Sequence, residues 1–387
     1  MGQLGRSRAG VAAAFFAQGL GFAVVLTHLP AVKDRYGLDD LAITGVMFAV
    51  AVLAGLGSTA AGAFASRRGS ATSLRAALVI AASGLAVAGL ADDLVVFLIG
   101  VGLYGLGLGT VDASENMQAV ALEARYGRSI LTSFHAAWSA GGIVGALYTA
   151  GTHSWTLTAA LVPTAVVIAA IALGPYLPGI EAAPDTEAAA QLPWRPLLLL
   201  GAALVLFYIA DSAASSWSTI YLRDGLAATA GVAPLAYGAY QTTSLLSRVA
   251  GDFLVRRSGA VTVVRMAAGI GAVGLLLVVL APGPAVAIAG FAVLGAGLAV
   301  VAPLTFSAAG VLAGQGTPEE RRRRADVLVA RLNQFNYLGF VLGGVLTGLV
   351  SSGSSLRWGY VVPLVTTAVL VLLAPAFAAR RAVTTPA

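Results

Sequence analysis

Residues 62–69 read GAFASRRG, and residues 251–259 read GDFLVRRSG. In each, a glycine (Gly62 or Gly251) stands five residues before an arginine pair, Arg67-Arg68 or Arg256-Arg257. A second glycine, Gly69 or Gly259, closes the segment. From Gly62 to Gly251 the step is 189 positions, close to half of the 387-residue chain. A basic turn that recurs at one place in each half points to a duplicated unit. The first glycine lets helices approach closely, and the second permits the backbone of a tight turn. The arginines hold the turn on one side of a membrane. Asp252 adds an acidic group to the second copy.

The flanks of these turns are apolar over unusual lengths. The chain is 58% hydrophobic and only 10% charged, whereas a soluble domain carries about 25% charged residues. Apolar runs of about 20 residues recur, long enough to cross a bilayer as helices and too long for buried strands. Twelve spans result, at 9–30, 41–65, 74–91, 94–122, 130–151, 155–177, 196–221, 230–255, 260–281, 284–313, 327–350 and 357–379. The third and fourth part at Ala91-Asp92-Asp93, because two carboxylates are costly in hydrocarbon. The stretch 178–195, PGIEAAPDTEAAAQLPWR, is the longest polar segment outside the arginine-rich turn near 320, and six spans lie on each side of it. The expected fold is an all-α membrane protein of twelve transmembrane helices. It forms two pseudo-symmetric six-helix bundles, residues 1–178 and 196–387, joined by a cytoplasmic linker, 179–195.

The basic residues support this count. With the N-terminus in the cytoplasm, the inner loops receive Arg67, Arg68, Arg75, Arg125, Arg128, Arg256, Arg257, Arg265, Arg321 to Arg324, Arg380 and Arg381. The outer loops receive only Lys33, Arg35, Arg223 and Arg357. That is the positive-inside pattern, with both termini cytoplasmic. The net charge of +6 is therefore read as a topology signal rather than a nucleic-acid surface. Trp155, Trp194 and Trp358 fall at span ends, as interfacial anchors do. Arg6 and Arg8 precede an apolar run that lacks a small-residue cleavage site, so the run is kept as the first helix. The chain has no cysteine, which excludes disulfides and thiol chemistry. Phosphate-binding loops, the dinucleotide glycine fingerprint and the zinc-protease helix are absent from the sequence. No enzyme activity, cofactor or metal is expected.

With these turns and spans in place, the chain resembles the major facilitator superfamily of transporters over almost its whole length. Gly62, Arg67 and Gly69 match that family's Gly-x-x-x-Asp-Arg-x-Gly type turn, although Ser66 stands where the aspartate is usual. Gly251, Asp252, Arg256 and Gly259 fit a looser version. More narrowly, it resembles the fucose-permease-like branch through Asp112, Asn116, Gln118-Ala119, Glu123, Gly127-Arg128, the segment Phe134 to Ser139 and the segment Asp211 to Leu222. The resemblance implies a central cavity between the bundles and alternating access. It also assigns the two glycine-arginine turns to gating.

Ionisable groups inside spans are the natural site candidates. Asp112, Glu115 and Asn116 share one face of the fourth span, at i, i+3 and i+4. Removing a carboxyl from water favours its protonated form, so Asp112 and Glu115 are expected to carry protons. Asp211, with Ser215 and Ser218 on its face, and His135, with Trp138 and Ser139 on its own, are further proton-coupling candidates. Gln18, Asn116, Trp138, Trp217, Tyr237, Gln241, Asn333, Asn336 and Tyr337 supply the donors, acceptors and rings of a substrate site. For Trp217, anchoring at the outer interface competes with stacking on substrate. The expected function is proton-coupled transport of a small molecule across a bacterial inner membrane, by a monomer in contact with lipid. Export of a drug or metabolite is an alternative, weakly disfavoured because Gly141-Gly142 lack the proline common in exporters of this superfamily. A membrane sensor that has lost transport is another.

Overall fold

The structure is a computed structural model that describes residues 2–126, 130–178, 193–312, 314 and 318–378. Among the described residues the chain is helical, without strands. The first half comprises α1 (Gln3–Thr27), a short α2 (Leu29–Tyr36), α3 (Asp40–Arg68), α4 (Ser70–Leu90), α5 (Leu94–Tyr126), α6 (Leu131–Gly151) and α7 (Leu157–Ile171). The second comprises α8 (Trp194–Ile220), continued by a π turn at Tyr221–Gly225, then α9 (Leu235–Ser258), α10 (Ala260–Leu280), α11 (Pro284–Leu298) and α12 (Val301–Leu312). It ends with α13 (Pro318–Ser352), α14 (Leu356–Gly359) and α15 (Val361–Leu373).

Nine stretches among the described residues are helical, long and apolar enough to cross a membrane. They fall on α1, α3, α4, α5, α8, α10, α11 with α12, α13, and α14 with α15. α6, α7 and α9 occupy the places of the fifth, sixth and eighth expected spans. α7 is only 15 residues long, and α9 carries Arg248 within its length. Leu173, Val249 and Leu372 are exposed, which in an apolar bundle is the surface offered to lipid.

Several boundaries follow from local chemistry. α5 starts after Asp92-Asp93 because the Asp93 carboxylate accepts from the Val95 and Val96 N–H groups at 2.8 and 3.0 Å. The tenth expected span is broken between α11 and α12. Pro303 has no N–H to give to the Ala299 carbonyl, so a continuous helix would lose that bond. α13 begins at Pro318 rather than 327, so Arg321 to Arg324 lie within a helix and not in a loop. Proline suits a first helical position, and arginine is a good helix former. Gly69 and Gly259 end α3 and α9 with φ of +80° and +75°, the left-handed backbone expected of both turns.

The two halves repeat one another in packing as well as in turns. A Cβ on Gly84 would stand 2.7 Å from the Gly100 carbonyl oxygen, where α4 crosses α5. A Cβ on Gly274 would stand 2.7 Å from the Gly290 carbonyl oxygen, where α10 crosses α11. Both pairs are shifted by 190 positions, and backbones this close admit only small residues. Within the first half α1 packs on α6, and α5 on α3 and α4; within the second α8 packs on α13, and α11 on α9 and α10. The halves meet chiefly through α3 against α13 and α6 against α9. These are one contact seen from each repeat, since α3 and α9 are the second and eighth spans, and α6 and α13 the fifth and eleventh.

Candidate functional site

Asp112, Glu115 and Asn116 lie on α5 as expected, but they do not share an environment. The half-buried Asp112 carboxylate accepts from the Tyr337 hydroxyl of α13 at 2.9 Å, and that hydroxyl lies 3.0 Å from Ser58 Oγ of α3. Gln18 of α1 lies beside this carboxylate, with its Nε2 donating to the Leu108 carbonyl of α5 at 3.5 Å. Asn116 Nδ2 donates to the Asp112 carbonyl oxygen at 2.8 Å and locks onto its own helix. The centre of this cluster is thus a carboxylate of one half held by a tyrosine of the other. Glu115 is fully buried, and neither of its oxygens has a hydrogen-bond partner among the described residues. Around it α4 and α5 are joined by Ser73 with Ser114 at 2.7 Å, and Gln118 with Ser70 at 2.8 Å. A buried carboxyl left without a donor is costly when ionised.

The second half presents a parallel group. Asp211 of α8 is half-buried and accepts from the Tyr240 hydroxyl of α9. Arg248, also on α9, donates to Ser139 Oγ of α6 at 2.7 Å, and its charge reaches Asp211. Arg248 was not among the sequence candidates, nor was Tyr240. The signal for Arg248 was present, because it is a lone cation in the eighth apolar span and meets the same criterion that singled out Asp112. His135 lies on α6 one turn from Ser139, exposed, with Phe15 edge-on at 5.3 Å between ring centres.

The remaining candidates divide. Tyr237 and Gln241 are buried, bonded to each other at 2.8 Å, and pressed against Gly142 of α6. A Cβ on Gly142 would stand 3.1 Å from Gln241 Nε2, so in this arrangement they form the α6–α9 contact. Trp138 stands 6.0 Å from Phe22, which stands 6.0 Å from Phe340 of the other half. Trp217 is fully buried and donates from Nε1 to the Gly344 carbonyl at 2.9 Å. It is a packing residue between α8 and α13, which corrects the expectation of an interfacial anchor. Trp155, Trp194 and Trp358 are exposed at helix ends. Asn336 is half-buried on α13 near Tyr337. The side chains of Asn333, Asp252 and Ser66 lie outside the described residues, as do Arg128, the linker 179–192, Arg380 and Arg381.

Arg67, Arg68, Arg256 and Arg257 are exposed and define one face of the molecule. Gly62 has open space beside it rather than a neighbouring helix, which corrects its expected role in close approach; a Cβ on Gly251 would stand 3.2 Å from the Val300 side chain. On the opposite face the halves are clasped by ion pairs. Lys33 of α2 reaches Asp40 at 2.6 Å and Asp224 of the second half at 2.5 Å, and Arg223 pairs with Asp34. The described contacts between halves therefore run from this clasp down to the level of Asp112 and Arg248.

A polar layer at the junction of two helical halves, inside an apolar shell, defines a multi-pass membrane protein of the major facilitator fold. The solved nucleoside transporter NupG has this fold with a TM-score of 0.70 and 16% identity, covering 97% of this chain and 98% of that one. FucP in its outward conformation has it with a TM-score of 0.62 and 17% identity, covering 96% and 98%. In sequence, an uncharacterized transporter of Sinorhizobium fredii, y4wD, is 29% identical over 383 residues, covering 95% of this chain and 97% of its own length. An uncharacterized MFS-type transporter of Yersinia pestis is 25% identical over 376 residues, covering 96% and 94%. No protein-family model matches the sequence. Over nearly its whole length the chain is thus similar, in sequence and in fold, to transporters of the major facilitator type, and these relatives and neighbours are transporters rather than enzymes.

Proposed function

We propose that this transporter is proton-coupled, carries a small hydroxylated molecule, and works by alternating access between bundles 1–178 and 196–387. The observation that carries the reading is the Asp112 carboxylate held across the bundles by Tyr337. A hydrogen bond to an ionised carboxylate is stronger than one to a neutral group. Taking up a proton removes that charge, weakens the link and frees both residues for substrate. Gln18, Ser58, Asn116, Asn336 and Arg248 supply donors and acceptors around it, as recognition of hydroxyl groups requires. The structural neighbours carry molecules of this kind: NupG is a nucleoside transporter and FucP a fucose:proton symporter. That likeness also favours the fucose-permease-like branch. The arginine-rich face and both termini are placed in the cytoplasm of a bacterial inner membrane. The glycine-arginine turns 62–69 and 251–259 serve gating there, and the ion-pair clasp is the closed outer gate.

A ligand-dependent thermal-stability screen with sugars, nucleosides, amino acids and hydrophobic antibiotics at pH 5.5 and 8 identifies the substrate class, since a ligand raises stability only by favouring the folded state. The hit is then used in proteoliposomes with an imposed pH gradient. Wild type is expected to accumulate it, while Asp112→Asn exchanges it without accumulation. Gradient-driven accumulation by Asp112→Asn would sink the assignment.

A further inference from the structure

Beyond the polar layer, toward the clasp, lies a cavity of about 50 Å³. Its wall is almost wholly apolar, built from residues such as Val25, Val46, Met47, Leu85, Ala88 and Leu161 of the first half. Phe340 and Ser216 of the second half complete it. Two hydroxyl-bearing residues stand in this wall, Tyr104 and Ser216, at 3% and 1% exposure. Neither hydroxyl has a hydrogen-bond partner among the described residues. Neither oxygen offers surface to the cavity, so a guest meets this wall through carbon.

The cavity adjoins the polar layer. Phe22 and Phe340 line it. They lie one helical turn beyond Gln18 and Tyr337, of which Tyr337 holds Asp112 and Gln18 lies beside it. Along α5, Tyr104 stands eight residues from Asp112, about 12 Å of helix rise. A molecule bound at Asp112 and Tyr337 therefore reaches this cavity if it extends past the Phe22–Phe340 bracket.

We propose that this cavity is a subsite for a compact alkyl group of the transported molecule. This rests on the transport reading above and narrows its substrate class to amphipathic molecules, polar at one end and apolar at the other. The size sets the class. A dry cavity of about 150 Å³ takes a benzene ring, so a third of that volume takes roughly two or three carbons. Because Phe340 and Ser216 come from the second half, the subsite is complete only while the halves are closed over it. It therefore selects substrate in the closed arrangement.

The probe is the series of n-alkanols from ethanol to hexanol, each with a short alkyl body and one oxygen. Binding to the purified full chain in nanodiscs is read by saturation-transfer NMR. Affinity is expected to rise about fourfold per methylene while the cavity fills, then to level off by about four carbons. Ala88→Val, which fills the cavity, should bring the plateau forward by about two carbons. If Ala88→Val does not fold, Val101→Leu supplies the same test with one added methylene. Affinity that climbs without a plateau, equally in wild type and filled variants, is partition into lipid and overturns the subsite. Alkanol binding is read without a pH gradient, so a failed subsite and a failed coupling assignment give different results.

Discussion

In the first half of the molecule, the carboxylate of Asp112 is held by Tyr337 of the second half. In the second half, the carboxylate of Asp211 is held by Tyr240 of that same half. Both aspartates sit in long apolar helices, both are half-buried, and both accept from a tyrosine hydroxyl. They differ in whether the bond crosses the junction. A bond within one half survives relative motion of the halves, whereas a bond across the junction must break for them to part. On the proton-coupled reading proposed above, a proton arriving at Asp112 would act on the equilibrium between conformations, and one arriving at Asp211 on the shape of a single half. That reading would make the first a coupling group and the second a positioning group, although the residue type is the same.

The sharpest way to break the comparison is to neutralise each aspartate in turn. One coupled proton in a pH gradient of one unit drives about tenfold accumulation. Asp112→Asn should reduce accumulation to the equilibrium value, and Asp211→Asn should leave it near tenfold at a lower rate. Equal loss of accumulation in both variants, measured in proteoliposomes, would erase the distinction. Next in size is Arg248, whose bond to Ser139 crosses the junction between α9 and α6. A hydrogen bond from a charged group is worth about 1.5–3 kcal/mol. Arg248→Met should shift the balance between conformations by roughly ten- to a hundredfold, read by spin-label distances across the clasp. An unchanged distance distribution would make Arg248 a packing residue.

Replacing the tyrosines tests the same contrast more gently. Tyr337→Phe leaves Ser58 in the neighbourhood to serve Asp112, so a net loss of about 1 kcal/mol is expected. It should appear as a shift toward the opened clasp. Tyr240→Phe should lower thermal stability by a similar amount while the distance distribution stays where it was. A shift of that distribution by Tyr240→Phe would mean that Asp211 also senses the junction.

How much of this was legible in the sequence depended on whether a feature is local. The turn at Asp92-Asp93 and the left-handed glycines at 69 and 259 are set by residues a few positions apart and stand where expected, whereas nine stretches among the described residues qualify as spans, the tenth expected span is broken and the eleventh begins at Pro318. The likeness of Asp112 and Asp211 was also legible, because a carboxyl in an apolar run is conspicuous. Their difference was not, since it depends on which helix brings a tyrosine alongside. Trp217 misled for the same reason: it lies close to a span end, yet α13 covers it. Gly62 has the spacing of a packing glycine and faces open space. The seam of Gly84, Gly100, Gly274 and Gly290 repeats at 190 positions in plain view. In a chain with 47 glycines, only the backbone contacts tell the packing glycines from the rest. Arg248 is the exception, a lone cation in an apolar run and as local a signal as Asp112.

The smallest expected effect lies at the clasp, and it bears on the symmetry behind the whole comparison. Asp34 and Arg223 are separated by 189 positions, the same step that separates Gly62 from Gly251. The two repeats thus carry opposite charges at equivalent positions, and these charges meet each other. Asp34 is 61% exposed and Arg223 29% exposed, so the pair is well solvated, and about 0.2–1 kcal/mol is expected from it. Lys33 beside it is less exposed. Desolvation pulls its pKa down, but the hydrogen bonds and charges of Asp224 and Asp40 outweigh that and leave it raised. Its contribution is therefore complete below the ordinary lysine pKa and is lost only as pH rises through the raised value. Salt, rather than physiological pH, is the lever that loosens this gate, because the Debye length falls to about 3 Å at 1 M. A double-mutant cycle of Asp34→Ala and Arg223→Ala, read by the clasp distance, should give its coupling at low salt and little at 1 M. The exchange of charges, Asp34→Arg with Arg223→Asp, should restore closure because the two positions are equivalent. Failure of that exchange, with each single variant folded, would mean that the surroundings of the two positions differ enough to break the repeat at the gate itself.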